Sequence, residues 1–147
     1  MAECRFLADD ANVPSLMSLP YLGAVGAADR ADAELYQNTR RFLLTPGAHA
    51  YFARASAAEG MASPHTGQDM IWPMGIIIRG IPSGDPTEIT RCLDLLKATH
   101  AATGFMHESF NKDDPSRFTR TWFAWANTLF GEFILQVLDQ HPRLLTR

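Results

Sequence analysis

The sequence lacks the cysteine pattern of a disulfide-stabilised domain or a zinc ribbon. Its 147 residues include two cysteines, Cys4 and Cys92, which lie far apart and show no CxxC spacing. Cross-linked domains of both kinds need more numerous or more closely spaced cysteines. We therefore expect Cys92 to be a small buried residue on a helix, and Cys4 to belong to an irregular terminus.

Clustered positive charge and long apolar runs are also missing. The net charge is −3, and the basic residues form no tract of the kind that binds nucleic acid or an anionic membrane. The longest apolar stretch, residues 71–81, is interrupted by Pro73 and Arg79 and is too short to span a bilayer. Residues 1–10 lack a basic segment followed by an apolar one. The sequence thus predicts a soluble chain with no signal peptide, no membrane segment and no nucleic-acid partner.

Motifs for nucleophilic or metal-assisted catalysis are absent as well. There is no GxSxG elbow, and no Ser or Cys stands in a recognisable context with a His. His65, His107 and Glu108 match no HExxH spacing, and His107 and Glu108 are adjacent, which points their side chains apart. We expect no metal ion and no other cofactor.

What the sequence does contain is helical periodicity with Gly and Pro between the segments. Apolar residues rarely alternate strictly with polar ones, so strand signals are weak, and the pattern predicts an all-α fold of about five helices. Asp85-Pro86 and Asp114-Pro115 each resemble an N-cap followed by proline in the first turn. Residues 49–67 are predicted to be a long connection, which in a compact domain is usually functional or disordered. The predicted helices lie near residues 12–22, 31–44, 72–81, 86–104 and 115–140.

The last predicted helix is apolar on nearly every side. Its aromatic and aliphatic residues occupy almost all directions around the axis, and a helix of this kind is buried all round. We therefore expect Trp125 in the core. Such a helix fits best as an inner helix of a double-layered helical barrel, which requires more protein than one small bundle supplies.

Glu108 is the carboxylate best placed for proton transfer. It lies in a polar segment, 104–114, beside His107 and between Phe105 and Phe110. If successive helices alternate in direction, this segment can share one mouth with residues 9–12 and 63–67. A glutamate in a polar loop is more often a helix cap or a solvated residue, so both readings stay open.

The neighbouring polar and aromatic residues also have two readings each. Asp9, Asp10 and Asn12 can donate to or accept from sugar hydroxyls, or they can cap the first predicted helix. Trp72, next to the His65 segment, can stack on a sugar face or belong to the core.

Four segments resemble glycoside hydrolase family 125, the exo-α-1,6-mannosidases, which include fungal proteins labelled meiotically up-regulated gene 157. The longest, THAATGFMHESFNKDDPSRFTRTWFAWANTLFGE at 99–132, is highly specific because it combines a fixed loop with two tryptophans. The other segments are DDANVPSLMSLPYLG at 9–23, TRRFLL at 39–44 and SPHTGQDMIWPMGIIIRG at 63–80. All four occur in the family's order and span nearly the whole chain.

The resemblance implies an (α/α)6 barrel and metal-independent, inverting hydrolysis of mannose-containing oligosaccharides by two carboxyl groups. In such enzymes the two carboxyls stand roughly 6.5–9.5 Å apart, which admits the attacking water. By motif, Glu108 in MHESF looks like the general base. Asp9, Asp10, Asn12, His65, Trp72 and His107 would then be substrate-binding groups.

The resemblance also places the general acid in a segment upstream of the 9–23 motif. We therefore expect residues 1–147 to be the carboxy-terminal portion of a single catalytic domain that lacks its proton donor. Exposed apolar patches would follow from the missing partner elements. Two other hypotheses are a fragment that binds sugar without cleaving it, and a helical interaction module.

Overall fold

The chain combines four α-helices with a small antiparallel sheet. The structure, a computed structural model, describes residues 9–26 and 28–146, so the expectation for Cys4 lies outside the described residues. The helices are α1 (Arg30–Leu43), α2 (Pro73–Gly80), α3 (Pro86–Thr99) and α4 (Ala124–Gln140), followed by a short 3-10 helix, Pro142–Leu145. The strands are β1 (Phe52–Arg54), β2 (Glu59–Ser63), β3 (Gly67–Ile71), β4 (Ser109–Asn111) and β5 (Phe118–Thr119).

The five strands form one sheet, and the prediction of an all-α fold, part of an (α/α)6 barrel, is wrong for this chain. Neighbouring strands pair antiparallel in the order β1-β2-β3-β4-β5, although α2 and α3 intervene between β3 and β4. Each strand has only two to five residues, too few for a period of two to emerge. Strand β2, with sequence EGMAS, is buried along its whole length and therefore shows no alternation.

Two predicted helix starts are also wrong. Residues 12–22 form bends and turns rather than a helix. Asp114 begins no helix either, because its carboxylate accepts the Ser116 amide within the turn that joins β4 to β5. An Asp-Pro pair stabilises turns as well as helix starts, so this signal alone did not discriminate between them. The long connection predicted for 49–67 is largely the β1–β2 hairpin.

Three helix predictions are confirmed, and their ends have local causes. Asp29 caps α1 by accepting the amides of Ala31 and Asp32. Asp85 caps α3 by accepting the Thr87 amide, and proline follows it as the first helical residue. Helix α3 ends at Thr99, earlier than predicted, because the left-handed residues Ala101 and Ala102 follow.

Helix α2 lies at the centre of the core. All of its residues except Arg79 are buried, and it contacts β2, α3 and α4. The small residues on it permit this close approach: a Cβ added at Gly80 would lie 2.5 Å from Cζ of Phe133 on α4. Cys92 on α3 is fully buried, as predicted, and burial raises the pKa of its thiol to about 12. Among the described residues, no helix is both long and apolar enough to cross a membrane.

A buried ionic cluster ties the sheet to the helices. Glu59 on β2 lies 2.8 Å from Arg79 on α2 and 2.8 Å from Arg91 on α3, and it also pairs with Arg54 on β1 at 2.7 Å. Burial alone would raise the pKa of Glu59, but the Arg79 hydrogen bond and the three guanidinium charges hold it below its usual value. Arg79 also bonds Glu88, which pairs in turn with Arg40 on α1. The cluster therefore joins three helices to two strands.

Helix α4 buries only one of its faces, so the prediction that it is surrounded is wrong for this chain. Its buried residues are Ala126, Leu129, Phe133 and Val137. Trp125, expected in the core, is 49% exposed, and Leu135 and Leu138 are exposed as well. The expectation of exposed apolar surface is met here, because nothing in the described part of the chain covers this side of α4.

We predict that Gly80→Ala destabilises the fold by about 1–3 kcal/mol, because the new methyl group meets the Phe133 ring. Gly131→Ala on α4 is the matched control. No atom lies within 4 Å of a Cβ built there, so relief of the glycine cost should add up to about 1 kcal/mol. Urea unfolding followed by tryptophan fluorescence measures both changes. Equal effects of the two substitutions would contradict the packing argument.

Candidate functional site

Glu108 lies directly before β4 and opposite the end of β5. Its amide donates to the Thr119 carbonyl at 3.3 Å, and the next pair, Ser109 and Thr119, is joined by their hydroxyls at 2.7 Å. The Glu108 side chain is only 8% exposed. A largely buried carboxylate requires compensating charge or hydrogen bonds. Two exposed side chains, Arg120 and His65, lie within 4 Å of the Glu108 carboxylate.

One partner is Arg120, the residue that follows β5. Its Nε lies 3.1 Å from Glu108 Oε1, and its guanidinium carbon lies 5.7 Å from the centre of the Phe123 ring. The Arg120 side chain is 62% exposed. Its backbone is left-handed, with φ of 50°, a conformation that costs a residue with a side chain roughly 1–2 kcal/mol. The pair therefore places an exposed cation beside a buried anion.

The other partner is His65, at the turn between β2 and β3. Its Nε2 lies 3.8 Å from Glu108 Oε1, and its side chain is 65% exposed. Thr66 in the same turn accepts a 2.7 Å hydrogen bond from the Trp72 indole, and His65 meets the Trp72 ring edge-on. Because Trp72 is 2% exposed, it offers no face for sugar stacking, and the prediction of a stacking role is not supported. The indole instead holds the turn that carries His65.

His107 occupies a different place from the one predicted. It is 1% exposed and stacks on Phe118 with ring centres 3.8 Å apart. Its Nδ1 lies 2.9 Å from the Thr121 carbonyl oxygen, to which it can donate, and its Nε2 lies 3.4 Å from the Thr103 hydroxyl, which can donate to it. Both ring nitrogens thus face protein groups, and the buried ring offers neither to a substrate hydroxyl.

The amino-terminal segment borders the same region. The Ala11 amide donates to the Ala62 carbonyl at 3.1 Å, next to the His65 turn. Asp9, Asp10 and Asn12 line a depression of about 220 Å³ together with Pro14, Tyr51 and Pro64. Residues 9–12 thus lie beside the His65 turn, which in turn contacts Glu108, but no residue of 104–114 lines this depression. The contact between the turn and Glu108 follows from the pairing of β3 with β4 rather than from alternating helices.

The acidic residues of this segment shape its backbone. Both Asp9 carboxylate oxygens accept the Leu16 amide, and Asp10 accepts the Asn12 amide at 2.6 Å. Burial raises the pKa of Asp9, against the lowering effect of its amide donors and His49. Asn12 caps no helix, because the described chain has none at that point.

Sequence reasoning missed His49, Asn127 and Arg120. His49 is buried, and its Nε2 accepts the Asp9 amide at 2.8 Å, so this nitrogen is unprotonated. Asn127 on α4 accepts the Met106 amide at 3.1 Å and donates to the Met106 carbonyl at 2.8 Å, which anchors the residue two before Glu108. None of the three stands in a motif of its own. Only the cross-strand register, Ser109 opposite Thr119, points to Arg120.

A mostly apolar cavity lies elsewhere. It measures about 350 Å³ between α3, α4 and the 3-10 helix, and Leu93, Phe130 and Ile134 contribute apolar walls. None of the predicted site residues lines it. Apolar walls suit a polyhydroxylated sugar poorly, so we favour the region around Glu108. No group of three His, Cys, Asp or Glu side chains among the described residues could hold a metal ion.

Comparison with known proteins connects these residues to one family. Residues 3–135 match the model of a family described as metal-independent α-mannosidase, GH125. The meiotically up-regulated gene 157 protein of Schizosaccharomyces pombe is 44% identical over 139 residues, which is 95% of this chain and 26% of that protein.

A solved structure supports the same match. It is a metal-independent α-mannosidase from Streptococcus pneumoniae in a non-productive substrate complex with α-1,6-mannobiose. The two chains superpose with a TM-score of 0.82 at 43% identity, over 90% of this chain and 30% of that one. The chain thus spans about a quarter of the curated relative and less than a third of the solved one.

We predict that the chain loses stability as the pH falls below about 6.5 because of His49. Burial lowers the pKa of this imidazole from its ordinary 6.5, while the Asp9 charge acts in the opposite direction. The unfolded chain therefore binds this proton at a higher pH than the folded chain does. The contribution of neutral His49 to stability is complete above pH 6.5 and declines as the pH falls toward the folded-state pKa. Protonated Nε2 would also face the Asp9 amide as donor against donor.

His49→Gln tests this prediction, because glutamine keeps an acceptor but does not titrate. The thermal midpoint should fall less in the variant than in the natural chain between about pH 8 and about pH 5.5. Asp9, with its raised pKa, contributes in the opposite direction at lower pH, and loss of the His49 charge would raise the pKa of Asp9 further, so the comparison stops at about pH 5.5. An identical fall in both would contradict the assignment.

Proposed function

Because the chain belongs to glycoside hydrolase family 125, the metal-independent α-mannosidases, we propose that the complete protein is an exo-acting α-1,6-mannosidase. The observation that carries the proposal is the carboxylate of Glu108, largely buried but open toward the exposed side chains of His65 and Arg120. This carboxylate lies within the matched residues. The α-1,6 linkage is suggested by the mannobiose in the solved relative's complex.

In the proposed mechanism Glu108 is the general base. Its carboxylate takes a proton from a water molecule as that water attacks the anomeric carbon of the terminal mannose. The glycosidic bond breaks on the opposite face, and a second carboxyl group protonates the leaving oxygen. Attack from the face opposite the leaving group inverts the configuration, and the two carboxyls of such a pair stand roughly 6.5–9.5 Å apart.

Arg120 supports the basic role of Glu108. A buried anion is costly without a counter-charge, and the guanidinium supplies one at 3.1 Å. In the family the second carboxyl group belongs to a segment upstream of the 9–23 motif, so we propose that it is not among these 147 residues. Such a division is compatible with the described residues, in which Glu108 is the carboxylate that pairs with His65.

We propose that His65, Asp10 and Asn12 contact the sugar, with Asp9 as support. The His65 imidazole is exposed beside Glu108, where it can bond a mannose hydroxyl. Asp10 and Asn12 line the adjoining depression. Asp9 instead uses both oxygens on the Leu16 amide, so it positions the loop.

We predict that Glu108→Gln in the complete protein lowers the turnover of α-1,6-mannobiose by about 10²- to 10⁴-fold, because the amide cannot accept the proton from water. Thermal stability should change little, since Arg120 can remain solvated. Glu34→Gln, at an exposed position of α1, is the matched control and should retain turnover. Mannose release is measured enzymatically. Turnover of Glu108→Gln at the natural level would reject the base assignment.

The stereochemistry gives a separate prediction. Proton NMR of the first product formed from α-1,6-mannobiose should show β-mannose, which mutarotates afterwards, because water attacks from the face opposite the bond. α-1,2- and α-1,3-mannobiose should react more slowly under the same conditions. Initial α-mannose would overturn the inverting mechanism, and equal rates for all linkages would overturn the specificity.

A further inference from the structure

His107 faces the backbone that carries Arg120. Its Nδ1 lies 3.2 Å from the Arg120 carbonyl oxygen and 2.9 Å from the Thr121 carbonyl oxygen. Because carbonyl oxygens only accept, this nitrogen must be the donor. The ring is fixed on its flat side by Phe118, at 3.8 Å with an angle of 3° between the planes. His107 therefore holds one specific segment of chain with a rigid ring.

That segment has an unfavourable conformation. Arg120 has φ of 50°, and the chain leaves the sheet at this residue because β5 ends at Thr119. A residue with a side chain keeps this conformation only where its surroundings impose it. Two hydrogen-bond acceptors of the segment, the carbonyls of Arg120 and Thr121, meet the His107 ring.

The contact with Glu108 is sensitive to this backbone. Arg120 approaches Glu108 Oε1 through Nε, the guanidinium nitrogen closest to the main chain. Nε lies one torsion nearer the main chain than the terminal guanidinium nitrogens, so the side chain has less freedom to follow a shift of the backbone. The Arg120 side chain is 62% exposed, and its guanidinium also lies over the Phe123 ring.

We propose that His107 is a positioning residue that acts through Arg120 to hold the Glu108 carboxylate in its reactive orientation. The inference rests on the proposed role of Glu108 as general base. His107 itself touches neither water nor sugar in this scheme. Its ring fixes the backbone at Arg120, and this backbone fixes the position of the Arg120 Nε. The Nε in turn holds one oxygen of the Glu108 carboxylate, so that the other oxygen can face the attacking water.

A double-mutant cycle in the complete protein tests this chain of contacts. His107→Phe keeps the stack on Phe118 but removes the ring nitrogens. Arg120→Gly removes the guanidinium and suits the left-handed backbone. Each change should lower kcat for α-1,6-mannobiose roughly 10- to 100-fold with KM changed by less than about twofold, since misplacing a reacting group by about 1 Å costs up to that much.

The double variant gives the deciding value. If His107 acts through Arg120, adding His107→Phe to Arg120→Gly should lower kcat by no more than about twofold further. A loss equal to the product of the single losses would overturn the proposal, because the two residues would then act independently. His107→Asn, which retains a donor near Nδ1, should recover part of the lost kcat. Equal losses for His107→Asn and His107→Phe would also count against the hydrogen bond.

A crystal structure of the His107→Phe variant gives a readout that needs no activity. The Nε–Oε1 contact of Arg120 and Glu108, 3.1 Å here, should open, and an unchanged contact would overturn the proposal. If the natural protein released no mannose, the proposed function would fail while this distance still tested the positioning role. If His107→Phe does not fold, His107→Leu, which also lacks the ring nitrogens, provides the same comparison of distance and kcat.

Discussion

The structure depends on a buried negative charge that reaches from the sheet to the helices. Glu59 is enclosed by guanidinium groups from β1, α2 and α3, and Arg79 extends the cluster to Glu88. Removal of one member of such a cluster leaves an uncompensated charge, which costs far more than a surface ion pair. The cluster sets the position of β2 relative to α2. The turn that carries His65 begins where β2 ends, so the ionic cluster also fixes where this turn lies.

A second buried glutamate has a different set of partners. Glu59 pairs with three arginines, and one of them, Arg79, is only 12% exposed. Glu108 pairs with two side chains, His65 and Arg120, and both are more than 60% exposed. The two carboxylates therefore differ in the number of their counter-charges and in the presence of a buried arginine. The smaller and more exposed set around Glu108 is compatible with its proposed role as a base.

The motifs singled out the segment that carries Glu108, but they did not predict the burial of His107 and Trp72. MHESF led to Glu108, and it also suggested that His107 contacts substrate. Adjacent residues at the start of a strand point to opposite sides, and here both are buried, Glu108 at 6% exposure and His107 at 1%. The Glu108 carboxylate pairs with the exposed side chains of His65 and Arg120, whereas the His107 ring stacks on Phe118. Trp72 likewise lies beneath the His65 turn, where its indole bonds Thr66 instead of a sugar.

The sequence alone determined the family, helices α1, α2 and α3 with the Asp85 cap and Pro86 as the first residue of α3, the burial of Cys92, and Glu108 as the candidate carboxylate. These features are local, because a cap or a motif depends on residues within one or two turns of each other. Only the tertiary structure decided the sheet, the exposed side of α4, and the roles of Arg120, His107 and His49. The strands are short, and their pairing joins residues far apart in the chain. Met70, for example, lies opposite Asn111 across two intervening helices. No local periodicity records such partners.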